Sequence, residues 1–144
     1  MKRKDYLPLV LLFLVILLGG CSKEQGVPEP GTIRFMVASD IHYFDPSLFS
    51  LPANSYLNNY LENDRKLILE SSAILNSLIS VVMKEKPDFL LIPGDLTKDG
   101  EKQDHQMVST LFKSLTNNGI KVLVIPGNHD INNPNSYSYL QTGR

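Results

Sequence analysis

Three short polar clusters interrupt otherwise apolar stretches of this chain: Asp40-Ile41-His42, Gly94-Asp95 followed by Asp99, and Gly127-Asn128-His129-Asp130. Carboxylates and imidazoles suit hard or borderline divalent cations such as Zn, Mn or Fe, and no soft thiolate accompanies them. Asp40 and His42 stand two apart, so on a turning loop both can face one ion. Gly94 and Gly127 let the backbone turn sharply and approach a ligand closely. Asp95 has two carboxylate oxygens and could bridge two ions. A two-metal site clamps the attacking and leaving oxygens of a phosphoryl displacement.

Each cluster alone has a plainer reading. Asp-x-His is a common loop pair, Gly-Asp a common turn, and Gly, Asn and Asp all favour turns. Their weight comes from the elements that carry them. Ile33–Ala38 is a short run with β-branched and aromatic residues that stops at Ser39-Asp40. Asp88–Ile92 is a second strand, closed by Pro93-Gly94, and Lys121–Ile125 a third, closed by Pro126-Gly127. Between the strands, Leu67/Ile68, Ile74/Leu75, Leu78/Ile79 and Val82/Met83 recur near the helical period, predicting a helix from an Asp64 cap to about Lys86, ended by Pro87. Met107/Val108, Leu111/Phe112 and Leu115 predict another from near Glu101, with Gly119 at its C-terminal cap. The order β-α-β-α-β implies parallel strands, and the nearly unbroken apolarity of the second and third strands is that of strands covered on both faces. All three clusters then fall at the carboxyl ends of parallel strands, the edge where open α/β sheets place ligands.

These residues resemble the calcineurin-like metallophosphoesterase family, whose pattern runs Asp-x-His, Gly-Asp with a nearby Asp, Gly-Asn-His-Asp/Glu, a lone His, then Gly-His-x-His. The similarity spans about Ile33 to Pro134. It implies an α/β fold, here the N-terminal β-α-β-α-β half of a double-sheet sandwich with outer helices (αββα). It also implies hydrolysis of phosphate mono- or diesters by a metal-activated water at a dinuclear site holding two divalent ions (Mn, Fe, Zn or Mg). Asp40 and His42 correspond to ligands of the first metal, Asp95 to the bridging ligand and Asn128 to a ligand of the second. His129 corresponds to the catalytic histidine that protonates the leaving oxygen, with Asp130 expected to orient its ring. Asp99 lies four residues after Asp95 rather than two or three, which points to loop bonding or helix capping. His105 fits no ligand block and is expected on an exposed helix face. The last two blocks do not appear before Arg144, so the expectation is the N-terminal part of a longer enzyme, with the dinuclear site incomplete in this chain and the 144 residues inactive by themselves. A noncatalytic metal- or phosphate-binding lipoprotein, or a truncated pseudoenzyme, is the alternative.

The N-terminus reads differently. Lys2-Arg3-Lys4, an apolar run from Leu7 to Leu18 and then Gly19-Gly20-Cys21 form a secretory signal. Twelve residues reach roughly 18 Å, short of the ~30 Å hydrocarbon core. Leu18-Gly19-Gly20-Cys21 resembles the lipobox of bacterial lipoproteins, which implies cleavage before Cys21, its diacylation, and a lipid-anchored place in the bacterial cell envelope. Residues 21–31 read as a flexible tether, and residues 32–144 as the start of the phosphoesterase domain. A net charge of −1 gives no electrostatic reason to expect nucleic acid, and no protein partner is indicated. The partners expected are a phosphate-ester substrate and the membrane. In the long connection 42–63, Tyr43, Phe44, Phe49, Tyr56 and Tyr60 are candidates either to pack a substrate or to pack on the missing half of the sandwich.

Overall fold

The structure, a computed structural model, describes residues 31–140. The signal segment, Cys21 and all but the last residue of the tether lie outside them. Three parallel strands, β1 (Phe35–Val37), β2 (Phe89–Pro93) and β3 (Lys121–Ile125), form one sheet in the order β1-β2-β3. Phe35 pairs with Phe89, and Leu90 with Val122. Helices α1 (Ser55–Asn63), α2 (Ser71–Glu85) and α3 (Lys102–Asn117) and a 3-10 turn at Pro46–Leu48 complete the described fold. This is the α/β arrangement expected of the first half of the sandwich. No described helix is long and apolar enough to cross a membrane.

Helices α2 and α3 lay Leu75, Ile79, Val82, Val108, Phe112 and Leu115 over Leu90 and Ile92 of the central strand. That cluster covers one sheet face only. On the other, Phe35, Val37, Leu123 and Ile125 are exposed, and Phe35 stacks on Phe89 with ring centroids 5.2 Å apart. The apolar strands thus carry the composition of two covered faces while the described residues cover one, leaving a patch of the kind that marks an interaction face.

The second helix starts later than its periodicity predicts. Asp64 is the C-cap of α1, its backbone N–H bonded to Tyr60 O, and its carboxylate accepts from Lys66 N (2.8 Å) and Nζ (3.1 Å). With its side chain so used, Asp64 cannot cap the following turn. The chain then separates the Leu67/Ile68 pair: Leu67 is exposed and Ile68 is buried in a second cluster with Phe44, Leu48, Leu57 and Tyr139. At the other end Lys86 takes a left-handed conformation (φ 48°) just before Pro87. Helix α3 closes at Asn118, and Gly119 follows at φ 83°.

Buried polar bonds join the two clusters. Phe44 N donates to Ser71 Oγ (3.0 Å), and Asp45 N to Asp104 Oδ1 (2.8 Å). Asp104 Oδ2 finds no hydrogen-bond donor among the described residues, and Glu101 Oε1 meets only the Lys98 ammonium, at 3.5 Å. A proton on Asp104 supplies one. Burial pushes the Asp104 carboxyl up to about 8, and the Glu101 charge and hydrogen bond add to that against the opposing Asp45 N–H. A carboxyl raised in the fold binds a proton that the unfolded chain releases near pH 4, so its contribution to stability is full below about pH 4 and is lost as pH rises to about 8. Asp104→Asn keeps the acceptor for Asp45 N–H and offers an NH2 to Glu101. Urea unfolding across that range should show a flatter pH dependence for the variant and higher stability than wild type at pH 8. Parallel wild-type and variant curves would contradict the protonated state.

Candidate metal centre

The loops that follow β1 and β2 continue to pair beyond the sheet. Ala38 N donates to Leu91 O, His42 N to Asp95 O, Tyr43 N to Leu96 O and Lys98 N to Tyr43 O, all within 3.0 Å. Tyr43 and Thr97 form a parallel bridge. This zipper holds Asp40 (φ 55°), His42 (φ 43°) and Asp95 (φ 47°) in the left-handed region, which non-glycine residues seldom occupy and which is held only where surrounding bonds dictate it. Three candidate ligands in a row of unfavourable conformations mark where the chain subordinates backbone comfort to side-chain direction.

The third loop docks against the second. A Cβ on Gly127 would sit 2.1 Å from Asp95 Oδ1, and one on Gly94 3.3 Å from Gly127 Cα. His129 N donates to Asp95 Oδ1 (3.0 Å). The result is one group: a ligand atom from each of His42, Asp95 and His129 lies within 4.8 Å of the others. Ligand atoms round a tetrahedral ion with bonds of about 2.0–2.2 Å stand ~3.4 Å apart, so the three side chains would draw in by about 1 Å to close on a metal. The set suits a borderline divalent cation. His42 Nε2 stands 3.9 Å from Asp95 Oδ2 and 4.0 Å from Asp40 Oδ1, too far to be hydrogen-bonded, so these carboxylates gather round the ring without being spent on it. The His42 and His129 rings meet edge to face at 4.9 Å. Burial, helped by the Lys66 charge and opposed by Asp95, pulls His42 below its usual value. Neutral imidazole is the form that binds metal. Asp40 is exposed and bonded by Ser39 Oγ. Asn128 lies exposed on the turn beside His129.

Two sequence expectations change. Asp130 does not serve the His129 ring. Its carboxylate accepts from Gly127 N (2.7 Å), Leu96 N (3.1 Å), Thr97 N (2.9 Å) and Thr97 Oγ1 (2.8 Å). Burial alone would raise its pKa, but these bonds hold it below the usual carboxylate range. The ring partner is Asp99, set aside as a loop or capping residue: His129 Nδ1 lies 2.8 Å from both Asp99 Oδ1 and Lys98 O. A carbonyl only accepts, so the proton is on Nδ1, and Nε2 is the nitrogen these partners leave open. The capping role fails too, since α3 has Glu101 as N-cap with no side-chain cap bond. The missed signal is Gly100 at φ 80°, packed on the backbone of residues 129–130, which folds Asp99 back toward the third loop. His105 is exposed on α3 as expected, yet its Nε2 donates to Asp130 O (3.2 Å).

The aromatic residues of the long connection face inward. Tyr43 and Phe44 are fully buried and Phe49 and Tyr60 pack on the second cluster, while Tyr56 is exposed. The first four fill the fold of this chain rather than a pocket. A cavity of about 370 Å³ does border Asp40 and His42, with Lys66, Leu67, Ile74 and Leu78 among its walls.

Gly127→Ala should disrupt the centre with little effect on the distant helices. Its methyl group would displace Asp95, so zinc affinity measured by calorimetry should fall by at least about tenfold with helical circular dichroism unchanged. Undiminished affinity would mean that Asp95 takes no part.

Comparison with curated proteins returned no match. Residues 33–143 match the family model for calcineurin-like phosphoesterases. That span holds all three loops and more than half of the chain, so the protein belongs to the calcineurin-like phosphoesterase family.

Proposed function

We propose that this chain is part of a metal-dependent hydrolase of phosphate mono- or diesters, working at a dinuclear site to which Asp40, His42, Asp95 and Asn128 contribute a share of the ligands. The observation that carries this reading is the convergence of His42, Asp95 and His129 at the carboxyl edge of the sheet, with the His129 ring held by Asp99. Asp40, His42 and Asp95 would hold one divalent ion, and Asp95 with Asn128 a second. Such ions supply an activated water and offset the charge of the transferring phosphoryl group. The chain's own contribution is orientation and proton supply. With Nδ1–H pointed at Asp99 and Lys98 O, His129 in its protonated form presents Nε2–H to the leaving oxygen, and returns to the neutral tautomer the loop already favours.

The test is metal analysis of the purified protein together with a panel of phosphate esters. Turnover that depends on Mn, Fe, Zn or Mg supports the hydrolase, and metal binding without turnover on any ester would reduce it to a binding protein. His129→Ala should lower turnover of alkyl phosphates by about 10²–10⁴-fold, and that of nitrophenyl esters much less, because their leaving oxygen hardly needs a proton. The grouping with His42 and Asp95 also favours a second reading of His129, as a metal ligand. Retained metal in His129→Ala supports the acid, and lost metal supports the ligand.

We further propose that the protein acts at a bacterial cell envelope, anchored through lipid on Cys21. The support is the short apolar run ending in Leu18-Gly19-Gly20-Cys21. Two acyl chains hold a protein to a membrane firmly where one does not. In a bacterial host, Cys21→Ser should abolish labelling by a radioactive fatty acid and block cleavage at that site. Unchanged labelling would refute the anchor.

A further inference from the structure

Lys98 is the most buried charge near the centre, with 0% of its surface exposed. Its ammonium lies 4.7 Å from the ring centroid of Tyr60 and 5.5 Å from those of Phe44 and Tyr139. All three are within the ~6 Å range of cation–π attraction. It also pairs with Asp99 Oδ2 and lies 3.5 Å from Glu101 Oε1. Lysine is costly to bury, and an apolar residue would fill the same space without desolvating a charge. The arrangement therefore calls for a reason beyond filling.

The reason lies on the far side of Asp99. One carboxylate oxygen meets the Lys98 ammonium. The other accepts from His129 Nδ1 and from Asn133 Nδ2, both at 2.8 Å. The backbone carbonyl of Lys98 accepts from the same Nδ1. One residue thus touches the imidazole directly through its carbonyl and indirectly through its charge. The cage that seats it comes from the 3-10 and α1 region and from Tyr139, far from the loop in sequence.

We propose that Lys98 is a positioning residue for the reaction: held in an aromatic cage of Phe44, Tyr60 and Tyr139, it fixes the Asp99 carboxylate, which in turn fixes the His129 ring. Without the ammonium, Asp99 keeps only Asn133 and the ring itself as side-chain donors, and its plane is no longer set. The His129 Nδ1–H then keeps the Lys98 carbonyl but loses a fixed carboxylate partner, and the ring is held less firmly. The aromatic segment between β1 and α2 becomes a support for the centre rather than part of the substrate surface.

The activity arm of the test rests on the hydrolase reading, and a second arm does not. Lys98→Met keeps the length and apolar bulk and removes the charge. In the metal-loaded full chain, kcat on alkyl phosphates should fall on the order of 10–100-fold with KM and metal content nearly unchanged, and the fall should be smaller on nitrophenyl esters. In the metal-free full chain, imidazole ¹⁵N spectra should show a His129 Nδ1–H that exchanges slowly with solvent in wild type and one broadened by exchange in Lys98→Met, where the backbone carbonyl remains but the Asp99 carboxylate is no longer fixed. Should Lys98→Met fail to fold, Tyr60→Leu opens the cage while leaving the ion pair, and should give the same leaving-group bias at smaller size. Wild-type kcat in the variant that folds, an equal loss on both ester classes, or an Nδ1–H signal that exchanges as slowly as in wild type would overturn the proposal. If wild type hydrolyses no ester, the hydrolase reading fails and the ¹⁵N spectra alone decide whether Lys98 positions the ring.

Discussion

The geometry at the sheet edge depends on one buried carboxylate. Asp130 gathers four donors, two backbone N–H groups and a hydroxyl from the loop after β2 and one N–H from its own loop after β3. Those N–H groups point away from the strand ladders and would otherwise be buried and unpaired, at roughly 1–3 kcal/mol each. A carboxylate has enough lone pairs to serve all of them; an amide would present an NH2 group to donors. By binding the two loops together, Asp130 brings Gly127 against Asp95 and delivers His129 to the side of His42. The residue that follows His129 in sequence therefore builds the site without touching the His129 ring.

Bonds of this kind also sustain the strained backbone. Asp40, His42 and Asp95 hold positive φ because the β1 and β2 loops keep exchanging backbone bonds after the strands have ended. A left-handed residue costs about 1 kcal/mol or more, and the one local side-chain contact, Ser39 Oγ to Asp40, serves a single residue of the three. The compensation comes from the zipper and from Asp130, which is why ligand direction at the centre is a property of three loops together and not of any one motif.

This explains what could be read from the sequence. The strands, the alternation and the placing of three polar clusters on one edge follow from local signals: β-branched runs, helical period and Pro-Gly stops. Those signals are set by neighbours within a few residues. Which carboxylate faces the His129 ring is not. Asp130 is adjacent in sequence but turned toward backbone donors, whereas Asp99 is thirty residues away and delivered by the Gly100 turn. The start of α2 escaped for a related reason: Asp64 has the chemistry of a cap, and Lys66 claimed its oxygens first. Lys98 gave no signal at all, since a lysine in a polar loop reads as solvated until three aromatic rings from elsewhere enclose it.

The buried charges share one seam between the two apolar clusters. Lys98, Asp99, Glu101 and Asp104 all derive from a single stretch of seven residues, and Asp45 meets them from the β1 side. Four acids around one ammonium would repel one another in a low-dielectric seam. Two devices relieve this: Asp104 keeps its proton, and Asp45 spends its carboxylate on Ser47 N and the Tyr43 hydroxyl. What remains is Lys98 between Asp99 and Glu101, with Asp99 N bonded to Glu101 Oε2 (2.7 Å) to keep the pair in register. A seam so arranged adds little net stability, because desolvation offsets most of the attraction. Its effect is positional. The aromatic cluster cannot shift relative to the helical one without moving Asp99, and Asp99 cannot move without turning His129.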